Sequence, residues 1–115
     1  MNPKAILLAV GFCVASSAFA FATSSTTNGN KLYEYCGEGQ ADLNWGYCVG
    51  YIVGISDAMA AGGSVNGFTA CFPPGITTWQ IRDVAINFLK NNPADRNDAA
   101  AGLVAASIAE AWPCH

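Results

Sequence analysis

Charge is scarce in this 115-residue chain: Asp, Glu, Lys and Arg together make up 11% of it, about half the usual share. Positive charge is scarcer still, with five Lys and Arg against eight Asp and Glu, a formal charge of −3 and no basic cluster. The electrostatic footprint of a nucleic-acid binder is therefore missing. Histidine occurs once, as the last residue, His115. A nucleophile would have no positioned imidazole to activate it, and Ser56 and Ser107 lie inside helical runs with no partner arranged by the sequence. No two cysteines stand in a C-x-x-C spacing, and one terminal His does not complete a metal site. Gly46, Gly50 and Gly54 follow helical spacing rather than the strand–turn–helix pattern of a phosphate loop. Asp57 and Asp83 read as carboxylates on solvated helix faces. These absences point away from an enzyme, a cofactor and a metal.

Apolar residues, by contrast, make up 52%, enough to build one small domain and too many for a disordered tail. The N-terminus runs from Lys4 through the apolar stretch Ala5 to Ala15 to the small-residue end Ala18-Phe19-Ala20-Phe21-Ala22. A positive start, an apolar run and overlapping A-x-A sites are the parts of a secretory signal peptide, assigned to residues 1–22. Serines at 16 and 17 interrupt a run that only just reaches the roughly 18 residues needed to span a bilayer. Export followed by cleavage is the expectation, with no membrane span afterwards. Cleavage removes Lys4 and Cys13 and leaves four basic against eight acidic residues.

The remaining cysteines are Cys36, Cys48, Cys71 and Cys114. In an exported chain of about 93 residues an even set of four reads as two disulfides. Residues 23–30 form a polar, mobile leader, and 31–115 a single domain.

The pattern of that domain is all-α, a bundle of about four helices. Lys31 to Cys36 predicts a short first helix, ended by Gly37 and Gly39. Ala41 to about Ala61 predicts a second, with Asp42 at its start and Trp45, Cys48, Val49, Ile52, Val53 and Met59 on a core face. Gly46, Gly50, Gly54 and Ala58 form another stripe at i, i+4 steps. Each interior Gly costs about 1 kcal/mol relative to Ala, so this stripe implies a neighbouring backbone packed closely against it. Asp57 ends the uncharged run of this helix. It reads as exposed, and Arg82 is its best partner if it is buried.

After Gly62-Gly63, residues 64–75 are a long connection containing Cys71 and Pro73-Pro74. Thr77-x-x-Gln80 fits a capping box that starts the third helix, whose stripe is Ile81, Val84, Ala85, Phe88 and Leu89. Asn92-Pro93 restarts the chain, with Asn92 as N-cap and Pro93 at the first helical position. Ala99 to Trp112 is the fourth helix, stopped by Pro113. An up-down arrangement places the 64–76 connection near the C-terminus. It therefore favours Cys36–Cys48 and Cys71–Cys114 over the two other pairings. In the chain-entropy model, loops of about 13 and 44 residues contribute roughly 3 and 4 kcal/mol.

The run from Cys48 to Ala58, with Gly50, Tyr51, Gly54 and Asp57, is followed by Cys71-Phe72-Pro73-Pro74, Gln80, Phe88-Leu89, Pro93 and the closing Ala111-Trp112-Pro113-Cys114. In this order and spacing it resembles the Rap/Tai family, periplasmic immunity proteins of type VI secretion. The resemblance covers residues 36–114. It implies a small, disulfide-bonded helical fold that is often a homodimer. It also implies a function, binding and blocking a peptidoglycan amidase delivered by neighbouring cells, in which an inserted loop occludes a Cys–His active site. Specificity in such a protein lies in exposed, divergent segments. Here those are Gly63 to Ala70 and the Asn91 to Asp98 corner, with Ser64, Val65, Asn66, Phe68, Asn92, Asp95 and Arg96 as the candidate partner-binding residues. The alternative is an orphan envelope protein with a chaperone-like, stress or surface-exposed role.

Overall fold

In the computed structural model the described residues are 26–37 and 43–115. The signal peptide expected at 1–22 and the helix start expected at Asp42 lie outside them. Among the described residues there are four α-helices: α1 (Gly29–Tyr35), α2 (Leu43–Ala60), α3 (Thr78–Asn91) and α4 (Ala100–Ala111). A 3-10 turn at Pro93–Asp95 precedes α4. No strand occurs among the described residues, only two isolated bridges, Asn28 with Ala99 and Val65 with Phe68. The fold is all-α, and its disulfides are Cys36–Cys48 and Cys71–Cys114, the favoured pairing. No described helix is long and apolar enough to cross a membrane.

Local chemistry accounts for the helix starts. Thr77 accepts from the Gln80 backbone N–H at 3.2 Å while the Gln80 carboxamide oxygen accepts from the Thr77 N–H at 2.8 Å. This is the reciprocal capping box, satisfying two otherwise orphaned donors of α3. At α1 the Asn28 side chain accepts from the Lys31 N–H at 2.9 Å. The helix therefore begins two residues before the expected Lys31, and the last residues of the polar leader are taken up into the fold. Thr27 is only 2% exposed, and its carbonyl accepts from the Ala100 N–H at 3.0 Å.

Asn92 departs from its expected role. Its side chain caps no helix; its Nδ2 instead donates back to the Phe88 carbonyl at 2.8 Å, closing the end of α3. Pro93 does occupy the first position of the turn that follows.

The core is one cluster in which Leu32, Ile52, Met59, Leu89, Val104 and Ile108 are the large buried side chains, joined by Cys36 and Cys48. Two hydroxyls are also buried there. Ser56 donates to the Val53 carbonyl at 2.8 Å and Ser107 to the Val104 carbonyl at 2.7 Å, so each is satisfied by its own helix.

The close seam expected along Gly46, Gly50 and Gly54 is not made within this chain. A Cβ built at any of the three meets nothing within 4 Å. The core face of α2 is Cys48, Ile52, Ser56 and Met59. Leu43, Gly46, Tyr47, Gly50, Gly54 and Ala58 are all exposed, and Leu43 is 91% exposed. Asp57 is exposed too. Arg82 pairs instead with its neighbour Asp83 at 2.8 Å, and its guanidinium lies 4.1 Å from the Trp45 ring centroid.

Two stability changes of opposite sign follow. Ile52→Ala removes a fully buried side chain and lowers the unfolding free energy by about 2–5 kcal/mol, read from urea denaturation of the oxidised chain. Gly50→Ala fills open space in a helix interior and raises it by about 1 kcal/mol at low protein concentration. A loss of stability from Gly50→Ala would mean that the face is covered.

Candidate partner-binding edge

The connection between α2 and α3 contains a tight hairpin. The Val65 N–H donates to the Phe68 carbonyl at 3.1 Å, and the Phe68 N–H donates to the Val65 carbonyl at 2.9 Å. The two residues between them, Asn66 and Gly67, have φ values of 50° and 80°. Two successive left-handed residues make the mirror-image turn that Asn-Gly favours, because Asn tolerates this region and Gly has no side chain to oppose it. That signal stands in the sequence at 66–67, inside the segment Gly63 to Ala70 expected to face a partner. Phe68 closes the turn opposite Val65 and is 40% exposed.

The hairpin rests on α4. A Cβ at Gly102 would lie 2.5 Å from Asn66 Nδ2, so the absence of a side chain at 102 lets Asn66 sit down on the helix. Gly102 had no signal of its own in the periodic pattern.

The second nominated segment, the corner before α4, is built from short-range turns. The Asp95 N–H donates to the Asn92 carbonyl at 3.1 Å and the Asp98 N–H to the Asp95 carbonyl at 2.9 Å. The N-terminus of α1 then fastens it. Gly29 and Asn30 donate their N–H groups to the carbonyls of Asp98 and Arg96 at 3.0 and 2.9 Å. The Asn30 Nδ2 donates to Asn97 Oδ1 at 3.1 Å.

Hairpin and corner meet. Asn66, Phe68, Asp95 and Asp98 line one open cavity of about 480 Å³, with its floor formed by Phe88 and α4. Ser64 is exposed just before the hairpin, whereas Val65, opposite Phe68, is half-buried and packs against the core. Two of the nominated residues are placed elsewhere. Asn92 lines a separate cavity between α3 and α4, with Ser107 and Glu110. Arg96 lies over the Tyr33 ring at 4.4 Å and is half-buried, so its charge is held against α1.

The scaffold residues take structural places. Trp112 ends α4, accepts from the Cys71 N–H at 2.9 Å and packs its ring 5.4 Å from that of Phe72. Tyr51 is half-buried, and its ring stacks on Tyr47 at 5.9 Å. Burial, then the neighbouring Tyr47, pushes the Tyr51 phenol above its ordinary value, against a lowering backbone hydrogen bond from Ala101.

Two further features had no sequence motif to announce them. Trp79, 56% exposed, stacks on Trp45 with centroids 6.1 Å apart. A larger cavity of about 660 Å³ lies between α1 and α3, lined by both charge signs: Arg82 and Lys90 with Glu34 and Asp83. None of the nominated partner residues lines it. Among the described residues no cluster of His, Cys, Asp or Glu could hold a metal ion.

No curated protein and no solved structure matches the chain. A family model does match: that of the Rap1a immunity proteins, over residues 28–114. This span reaches from the N-cap of α1 to the cysteine that closes the second disulfide, and takes in the hairpin and the corner. The chain belongs to the Rap1a immunity protein family.

Proposed function

We propose that this chain is an exported immunity protein that binds a peptidoglycan amidase of type VI secretion and blocks its active site with the hairpin–corner edge. Family membership supplies the coarser part, immunity against a type VI effector. The observation that carries the finer part is the convergence of Asn66, Phe68, Asp95 and Asp98 on one exposed edge. The hairpin is closed by two backbone bonds across a two-residue turn. Little conformational entropy remains for it to lose on binding. An exposed aromatic side chain beside such a turn is suited to fill an enzyme cleft, and aromatic anchors dominate interface energetics. The edge has no chemistry to perform; it works by excluding substrate. Two disulfides fit an oxidising compartment, and periplasmic residence follows from this reading together with the expected signal peptide.

The test is capture of a cell-wall amidase by the oxidised chain, with loss of the amidase's activity on addition of the chain. Phe68→Ala weakens that complex by about tenfold or more, measured by titration calorimetry, and leaves the urea denaturation midpoint in place. Trp79→Ala, on a different face, leaves affinity unchanged. Unaltered affinity on Phe68→Ala would remove the hairpin from the interface.

The open face of α2 supports a second element of this reading, a homodimer. Three interior glycines are unfavourable in a monomeric helix and favourable where a second copy's backbone approaches closely. Gly50→Leu leaves the helical circular dichroism unchanged and converts dimer to monomer in sedimentation equilibrium. A variant that sediments like the parent chain would sink the dimer.

A further inference from the structure

The two disulfides differ in exposure and in what they hold. Cys36 is 4% and Cys48 0% exposed, both inside the core cluster. Cys71 and Cys114 are exposed, and neither belongs to that cluster. Thiol–disulfide exchange begins when a thiolate reaches a sulfur, so access decides which bond is attacked first.

Cys71–Cys114 ties the connection that carries the Val65–Phe68 hairpin to the chain just beyond α4. Beside it, the same junction is held by the Cys71 N–H bonded to the Trp112 carbonyl and by the Phe72–Trp112 ring contact. The helices themselves close around Leu32, Ile52, Leu89 and Ile108, with α1 and α2 stapled independently by Cys36–Cys48.

We propose that Cys71–Cys114 is a redox latch. A dithiol reductant opens it while Cys36–Cys48 stays closed, and opening frees the hairpin-bearing connection from the end of α4 without dissolving the helical body. In the reaction one thiolate of the dithiol attacks a sulfur of the Cys71–Cys114 bond and forms a mixed disulfide. The second thiolate resolves it. The Cys71–Cys114 S–S bond breaks and an S–S bond forms in the reductant. Two electrons and two protons pass from the dithiol to leave thiols at Cys71 and Cys114. A disulfide oxidant reverses the step with the same balance. The latch would weaken inhibition on reduction, a consequence that rests on the hairpin–corner edge being the partner-facing one. The opening itself requires no partner.

The test therefore uses the full oxidised chain alone. It is titrated with dithiothreitol, quenched by alkylation at intervals, and its labelled cysteines are located by peptide mass spectrometry. Cys71 and Cys114 are expected to label about tenfold or more ahead of Cys36 and Cys48. Helical circular dichroism persists through this first phase, and backbone hydrogen exchange speeds up at 64–76 and 112–115. Labelling of all four cysteines at one rate would overturn the proposal, as would loss of helicity in the first phase. The double variant Cys71→Ser with Cys114→Ser is expected to stay helical and to show the same local exchange. A variant that does not fold, or that folds with exchange at 64–76 unchanged, overturns it as well. Because no amidase enters these measurements, their failure leaves the immunity reading standing, and failure to find an amidase leaves the latch standing.

Discussion

The first turn of α1 lies against the corner that leads into α4, and this contact depends on residue 29 having no side chain. A Cβ there would stand 2.9 Å from the Arg96 Cα and 3.0 Å from its carbonyl oxygen, and would overlap Leu103. With glycine in place, Thr27, Gly29 and Asn30 form three backbone hydrogen bonds to Ala100, Asp98 and Arg96. Residues about 70 positions apart in sequence are thereby fixed, and Arg96 is drawn onto Tyr33. The corner then holds Asp95 and Asp98 toward the cavity, and α4 starts where it can receive the hairpin at Gly102. The candidate edge is a consequence of this long-range backbone contact more than of the loops that form it.

The same chain leaves another glycine-bearing surface unused. On α2 the exposed side carries Gly46, Gly50, Gly54 and Ala58 with Leu43 and Tyr47 around them. Asn44 and Asp57 are exposed on α2 as well, so the helix is apolar toward the core and mixed in character on its open side. The hairpin–corner edge differs in kind: Asn66, Asp95 and Asp98 stand around a cavity that Phe88 and α4 also line. In the proposed reading the α2 face meets a second copy of the chain and the hairpin–corner edge meets the enzyme. The two surfaces lie on different elements.

Features governed by neighbours a few residues apart were legible in the sequence. The Thr77–Gln80 capping box, the buried Cys48, Ile52 and Met59, and Pro93 at the first position of its turn all follow from short-range rules. The disulfide pairing was also legible, because an up-down helix order leaves few ends to join. What the sequence hid is non-local. Spacing marks Gly46, Gly50 and Gly54 as a stripe but says nothing of what stands above them, which here is open space. Thr27 looks like part of a polar leader until Ala100 and Tyr47 are brought to it. Arg96 reads as a free surface cation until Tyr33 lies beneath it. The Asn66-Gly67 turn was within reach of local rules, and its value as a site appears only when the corner is placed beside it.

The central claim is that Phe68, beside the hairpin turn, enters the cleft of an amidase. Photo-crosslinking from a benzophenone side chain placed at position 68 tests this most directly, in a complex with an amidase that the chain inhibits. The account predicts crosslinks to peptides lining the amidase's active-site cleft, and none from the same probe at position 47 on α2. Crosslinks from position 47 with none from position 68 would contradict it and move the inhibitory surface to the open face of α2.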